Sequence, residues 1–248
     1  MNNWQKIKWF ILSGITETTA KTPVNRLQRK PIDPVKGQGV DSSLPSAEAD
    51  IFSRRAESLA AQAQTIAELY QNRANFEGCA LKKTAAHTLN GRGVNRPDVL
   101  CYVETPDTID EKEACLMGGP AGQLLDKMLA AIGLDLSQNA YISSLVPWRP
   151  PGNRKPTDVE LSLCRPFWEK EIDLLQPKII LLFGANVSET VLGISALSKA
   201  RGTWHDYRGI PVRVSIAPAT LLKLPAQKKQ AWEDLQQVAQ KWSEIKGL

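Results

Sequence analysis

Between Lys178 and Gly184 the chain reads KIILLFG, with five apolar residues in a row and no polar residue alternating among them. A strand buried on one face alternates apolar with polar. A continuous apolar run bounded by turn residues belongs to a strand covered on both faces. This admits few architectures, because helices must then cover both sides of the sheet. The neighbouring sequence supplies them. DVLCYV (98–103), AYISSLV (140–146) and IPVRVSI (210–216) read as further strands. Helical patterns lie among them: GQLLDKMLAAIG (122–133), ended by Gly133; a long one opening on Thr157 and closing at Pro177; and the short ANVSETVLG (185–193). AQKKQAWEDLQQVAQKWSEI (226–245) is the last helix. Strand and helix in alternation predict an α/β fold with a parallel sheet.

Composition fits one sizeable core with extensions. Of 248 residues, 42% are hydrophobic and 23% charged. No apolar run approaches the ~18 residues of a membrane span, so no membrane association is expected. The opening MNNWQKIKWFILSGITET lacks a small-residue cleavage site, and Trp4, Ile7 and Ile11 fall at helical spacing. It reads as a short amphipathic helix over 1–16 rather than a targeting signal, and the expected location is the cytoplasm. Residues 17–47 are rich in Pro, Gly, Ser and charge, and read as a mobile linker. A domain 48–248 follows, led by a long helix over 48–73 with Ser46 as a possible cap and Ile51, Leu59, Ala63, Ile66, Leu69 and Tyr70 on one face. The net charge of +5 and pI near 9.0 are compatible with a nucleic-acid partner without demanding one. The four cysteines, Cys79, Cys101, Cys115 and Cys164, show no C-x-x-C spacing, so spacing alone reads no zinc site, and no disulfide is expected in a reducing compartment.

In open parallel sheets, ligands bind beyond the carboxyl ends of the strands. Three segments stand there: ETPD (104–107), PWRPPGNR (147–154) and APATLL (217–222). LFGANVS (182–188) is a fourth, but it lacks the glycine spacing of a phosphate loop. The second is unusual, being stiffened by proline and carrying Arg149, Arg154 and Lys155 beside Trp148.

FEGCALKKTA (76–85), AGQLLDKMLAAIGL (121–134), RPPGNRKPTDVELSLCRPF (149–167), RGTW (201–204) and PATLLKLPAQKKQAWEDL (218–235) together resemble the uracil-DNA glycosylase superfamily, in its family 4 branch. The resemblance runs from about Phe76 to Trp242, and the amino-terminal extension resembles one seen in some bacterial members. It implies a three-layer α/β/α sandwich around a small, mainly parallel four-stranded sheet, here preceded by a helical extension. It also implies a DNA partner, flipping of a deoxyuridine and hydrolysis of its N-glycosidic bond, by a protein expected to be monomeric.

Position by position, the resemblance carries departures. The family's Gly-Glu-Ala-Pro-Gly is here VETPD (103–107): Glu104 and Pro106 remain, Thr105 lies between them, and both glycines are replaced. Glycine permits backbone angles that valine and aspartate adopt with difficulty. The family's stacking Phe falls on Met117, which offers no π face. Its uracil-reading Asn falls on Ser144, and its leaving-group His on Ala217, which donates nothing. His87 and His205 match neither position. Of the four cysteines that hold the family's iron–sulfur cluster, Cys79 and Cys164 match two, while Phe76 and Trp148 stand at the others. Two thiolates do not hold a four-cysteine cluster, so no metal and no cofactor is expected. Arg149, Asn153, Arg154 and Lys155 are candidate DNA contacts; the competing role for Arg149 and Arg154 is an internal pair with Asp158 or Glu160. The reading is a glycosylase-like protein of base-excision type with degenerate motifs and little uracil excision. Its alternatives are an active glycosylase of altered base specificity using Glu104, or a non-catalytic DNA-binding or interaction protein.

Overall fold

The computed structural model describes residues 46–247. The helix expected over 1–16 and all but the end of the linker expected to 47 lie outside them. The chain divides into units Met1–Ser42 and Ser43–Leu248, and the second contains everything described below.

Four strands run parallel at the centre: β2 (Val99–Val103) pairs with β3 (Ala140–Ser144) and β4 (Ile179–Phe183), and β4 pairs with β6 (Ile210–Ser215). The sheet nevertheless has six strands, not the four expected. The order is β1-β3-β2-β4-β6-β5, with β1 (Arg92–Gly93) and β5 (His205–Tyr207) added antiparallel at the two edges. Both are too short to show a periodicity in sequence. They cap the sheet and leave little open edge for another strand to join.

Side chains alternate across the sheet, and the core divides accordingly. Leu100, Tyr102, Tyr141, Ile180, Leu182, Val212 and Val214 pack on one face with α1 (Ser46–Gln62), α2 (Ile66–Ala74) and α6 (Asp158–Leu175). Val99, Cys101, Val103, Ile142, Ile179, Leu181 and Phe183 pack on the other, against α5 (Pro120–Ala130) and α10 (Lys228–Lys246). This is the three-layer sandwich. The remaining helices are short: α3 (Ala80–Thr84), α4 (Thr108–Glu113), α7 (Ala185–Leu192), α8 (Leu197–Ala200) and α9 (Pro218–Lys223).

The leading helix expected as one piece over 48–73 is two. Thr65 takes an extended conformation and its side chain accepts from the Glu68 N–H at 3.2 Å, while Glu68 Oε2 accepts from the Gln64 N–H at 2.8 Å. This reciprocal cap restarts the helix. On the same face, Glu171 of α6 is fully buried and accepts from the hydroxyls of Tyr70, Tyr102 and Ser143 at 2.6, 2.7 and 3.0 Å. The satisfied carboxylate ties α6 to the sheet. With Ser143 directed to this side, pleat alternation turns Ser144 to the opposite one. No helix among the described residues is long and apolar enough to cross a membrane.

Candidate active site

The carboxyl ends of β2, β4 and β6 enclose a cavity of about 290 Å³. It is built from the ends of parallel strands and the starts of the helices after them. Backbone bonds hold its rim: the Gly184 N–H donates to the Ser215 carbonyl at 2.9 Å, and the Leu145 N–H to the Val103 carbonyl at 3.0 Å. Gly184 has φ +104, and a β-carbon there would meet the Ala217 side chain at 3.7 Å. Only glycine turns the chain this way without strain.

Glu104 and Thr105 line the cavity, as do Met117 and Ala217. Ser144 does not; it is buried at the end of β3, and its hydroxyl finds no partner. Two lining side chains that sequence reasoning passed over, Phe183 and Asn186, flank the glycine turn after β4. Their signal was positional, since Phe183 ends the most apolar strand and Asn186 follows it. The Asn186 amide donates to Glu104 Oε2 at 3.0 Å, while Glu104 Oε1 is buried and unpartnered. A carboxylate is thus oriented by an amide with its other oxygen free.

Asp107 has a structural reason to replace a glycine. It has φ −106, an ordinary extended value, and caps α4 by accepting from the Ile109 and Asp110 N–H groups at 2.7 and 2.9 Å. Asp110 completes the capping box. The backbone difficulty expected for aspartate here does not arise. Burial pushes the Asp110 carboxyl upward, and the neighbouring Asp107 charge adds to it. Met117 is the strained residue instead, at φ +53. Its carbonyl accepts from Arg92 Nη2 at 3.1 Å and presses on Gly122, where a β-carbon would lie 1.6 Å from that oxygen.

The proline-rich loop folds back on the domain. Arg149 pairs with Glu111 of α4 at 2.5 Å, a partner not among those expected. Arg154 makes a forked pair with Glu160 at 2.7 and 2.8 Å. Lys155 reaches Glu189 at 3.2 Å, and Asn153 bonds Thr108 at 3.0 Å. The Arg154 and Lys155 side chains remain about half exposed (44% and 49%), so solvent still reaches their charge.

Cys79 and Cys164 are both buried. The neighbouring Cys164 thiol lowers the Cys79 thiol, while Cys79 raises the Cys164 thiol, which burial lifts further. Phe76 and Trp148, both about 1% exposed, fill the adjoining space. Phe76 packs on Phe167 with ring centroids 5.5 Å apart, and the Trp148 indole N–H donates to Thr88 at 2.9 Å. This donor set does not fit a four-cysteine cluster: two of the four positions carry rings without a metal-binding atom. His87 and His205 lie outside the cavity lining; His205 Nε2 lies 2.7 Å from the Ala200 carbonyl oxygen.

A family profile described as "Uracil DNA glycosylase superfamily" matches residues 91–236, more than half of the chain. Among similar proteins, the Type-4 uracil-DNA glycosylase of Sulfurisphaera tokodaii is 29% identical over 170 residues, covering 64% of this chain and 77% of that protein. That of Archaeoglobus fulgidus is 24% identical over 171 residues, covering 65% and 85%. That of Thermotoga maritima is 30% identical over 133 residues, covering 53% and 69%.

Proposed function

Because the chain belongs to the uracil DNA glycosylase superfamily, we propose that its cavity receives a single base flipped out of DNA and that it releases uracil poorly. The observation that carries this is the pair Ala217 and Glu104. Uracil leaves the sugar as an anion and needs a donor where its charge grows; loss of one such donor costs roughly 10²–10³ in rate. Ala217 lines the cavity with a methyl group, and no lysine, arginine or histidine lines it among the described residues. The carboxylates that do line it would repel an anion.

A second reading is an active glycosylase for another base, working through Glu104. It is favoured by the Asn186 amide, which fixes one oxygen of Glu104 at the cavity and leaves the other without a partner, so that the carboxyl group is positioned to accept a proton.

DNA is the proposed partner, through the exposed parts of Arg149, Asn153, Arg154 and Lys155. The test is a duplex with one deoxyuridine beside 2-aminopurine, whose fluorescence rises when its neighbour unstacks. Binding with a fluorescence rise, and intact uracil recovered afterwards, is the expected result. No binding at low salt would overturn the reading.

A further inference from the structure

The inference that follows rests on the glycosylase reading and concerns which base the cavity takes. Three of the lining side chains are carboxylates, Glu104, Asp107 and Asp110. Two of them are engaged by backbone: Asp107 caps α4, and Asp110 accepts from the Asp107 and Gly118 N–H groups at 3.2 and 3.0 Å. Their oxygens are committed to those N–H groups and have little capacity left to read a ligand. Glu104 differs, because Asn186 fixes one oxygen and the other is buried without a partner. Phe183, Val103, Met117 and Ala217 add apolar residues to the lining. A cavity with acidic side chains in its lining and, among the described residues, no lysine, arginine or histidine there is an environment for a cation.

We propose that the cavity takes a positively charged base, a ring-alkylated purine in DNA, and that Asn186 is the positioning residue that holds Glu104 for it. The leaving-group chemistry agrees. A purine alkylated on N7, as in 7-methylguanine, carries a positive charge in the nucleoside. When its glycosidic bond breaks, the bonding electron pair returns to the ring, and the base departs neutral. No negative charge grows at the leaving group, so a methyl at 217 is no handicap. Water adds its oxygen to C1′ as the C1′–N bond breaks, and its proton passes to the Glu104 carboxylate and then to solvent. The products are a neutral alkylpurine, a C1′-hydroxyl sugar and one proton. The balance requires no metal and no further reactant. For uracil the same cavity opposes the charge that must develop.

The test uses the full chain and two nucleosides of nearly equal shape, 7-methylguanosine, which is cationic, and guanosine. Calorimetry is expected to show 7-methylguanosine binding at least about tenfold more tightly, as one desolvated charge contact allows. Glu104→Gln should abolish that preference. Asn186→Leu should shrink it without lowering the melting temperature, and Asn186→Gln should restore part of it, which a merely structural role for Asn186 would not produce. Equal affinity for the two nucleosides, no binding of either, or a preference that survives Glu104→Gln would overturn the inference. Excision is read separately, in single turnover from an oligonucleotide containing 7-methyl-deoxyguanosine, against spontaneous depurination. Release above that background, abolished by Glu104→Gln, supports both the inference and the glycosylase reading. Charge preference without release upholds the choice of base and overturns the catalytic reading. Release of uracil as fast as of 7-methylguanine overturns the inference.

Discussion

Ala217 and Glu160 show two ways in which a single residue governs this domain. Restoring a histidine at 217 would return a donor, but a donor lowers the barrier only if the base sits where it points; misplacement by about 1 Å can cost 10²-fold. Met117 walls the cavity without a ring, and Ser144 lies outside its lining. Ala217→His alone is therefore expected to raise uracil release by less than about tenfold in a single-turnover assay. Recovery to the rate of a Type-4 relative assayed alongside would show the rest of the cavity to be competent. Glu160 acts on stability. Burial would lift its carboxyl, but Arg154 and the Thr157 N–H hold it below the usual glutamate value of 4.5. A depressed carboxylate contributes its stability above the unfolded value and loses it as pH falls through the folded one. Glu160→Gln should cost about 1 kcal/mol at pH 7, the upper range for an exposed pair, since Arg154 is partly solvated. That cost should shrink as pH falls below the usual glutamate value and vanish once the folded-state carboxylate is protonated. A melting difference independent of pH would refute the pairing.

At the scale of elements, the proline-rich loop and α4 form one unit. Arg149–Glu111 and Asn153–Thr108 fasten the loop to α4, and Arg154–Glu160 fastens it to the start of α6. The same arginines are the proposed phosphate contacts. In the double change Arg149→Ala, Arg154→Ala, DNA binding should weaken and its logarithmic salt slope flatten by roughly 0.9 per lost duplex contact. An unchanged slope in a folded variant would assign both arginines to internal pairing alone. Much of this architecture was legible in sequence, because burial on both faces demands unbroken apolar strands: β2 and β4 are buried throughout, as their runs of apolar residues require. Thr157 was legible as a helix start because capping is local chemistry. The edge strands were not: β1 owes its pairing to β3, distant in sequence, and β5, although it forms a hairpin with β6, is only three residues long. The break before Ile66 was missed because apolar spacing continues across it while Thr65 caps the next helix. Asp107 was misread for a similar reason, its capping role depending on a helix too short to show a pattern. Glu104, Thr105 and Ala217 converge as their strand-end positions imply, and Met117 joins them from the turn between α4 and α5, whereas the amide beside Glu104 comes from a different strand exit, at Asn186.

The whole molecule rests on two apolar layers that close within the described residues, one on each face of the sheet. A chain lacking residues 1–42 is therefore expected to keep a single cooperative thermal transition; an insoluble product or a broad melt would place part of the core in the removed segment. The sheet's purpose in this account is to bring Glu104, Asn186 and Ala217 to one rim and to leave the leaving base without a lysine, arginine or histidine donor among the described residues. Uracil release under single-turnover conditions, from single-stranded and duplex oligonucleotides, measures that directly. The unmodified chain is expected to release uracil at least about 10²-fold more slowly than a Type-4 relative assayed in parallel, with Glu104→Gln making little further difference. Rapid release by the unmodified chain, abolished by Glu104→Gln, would contradict the account and make Glu104 the group that drives uracil excision without a donor at 217.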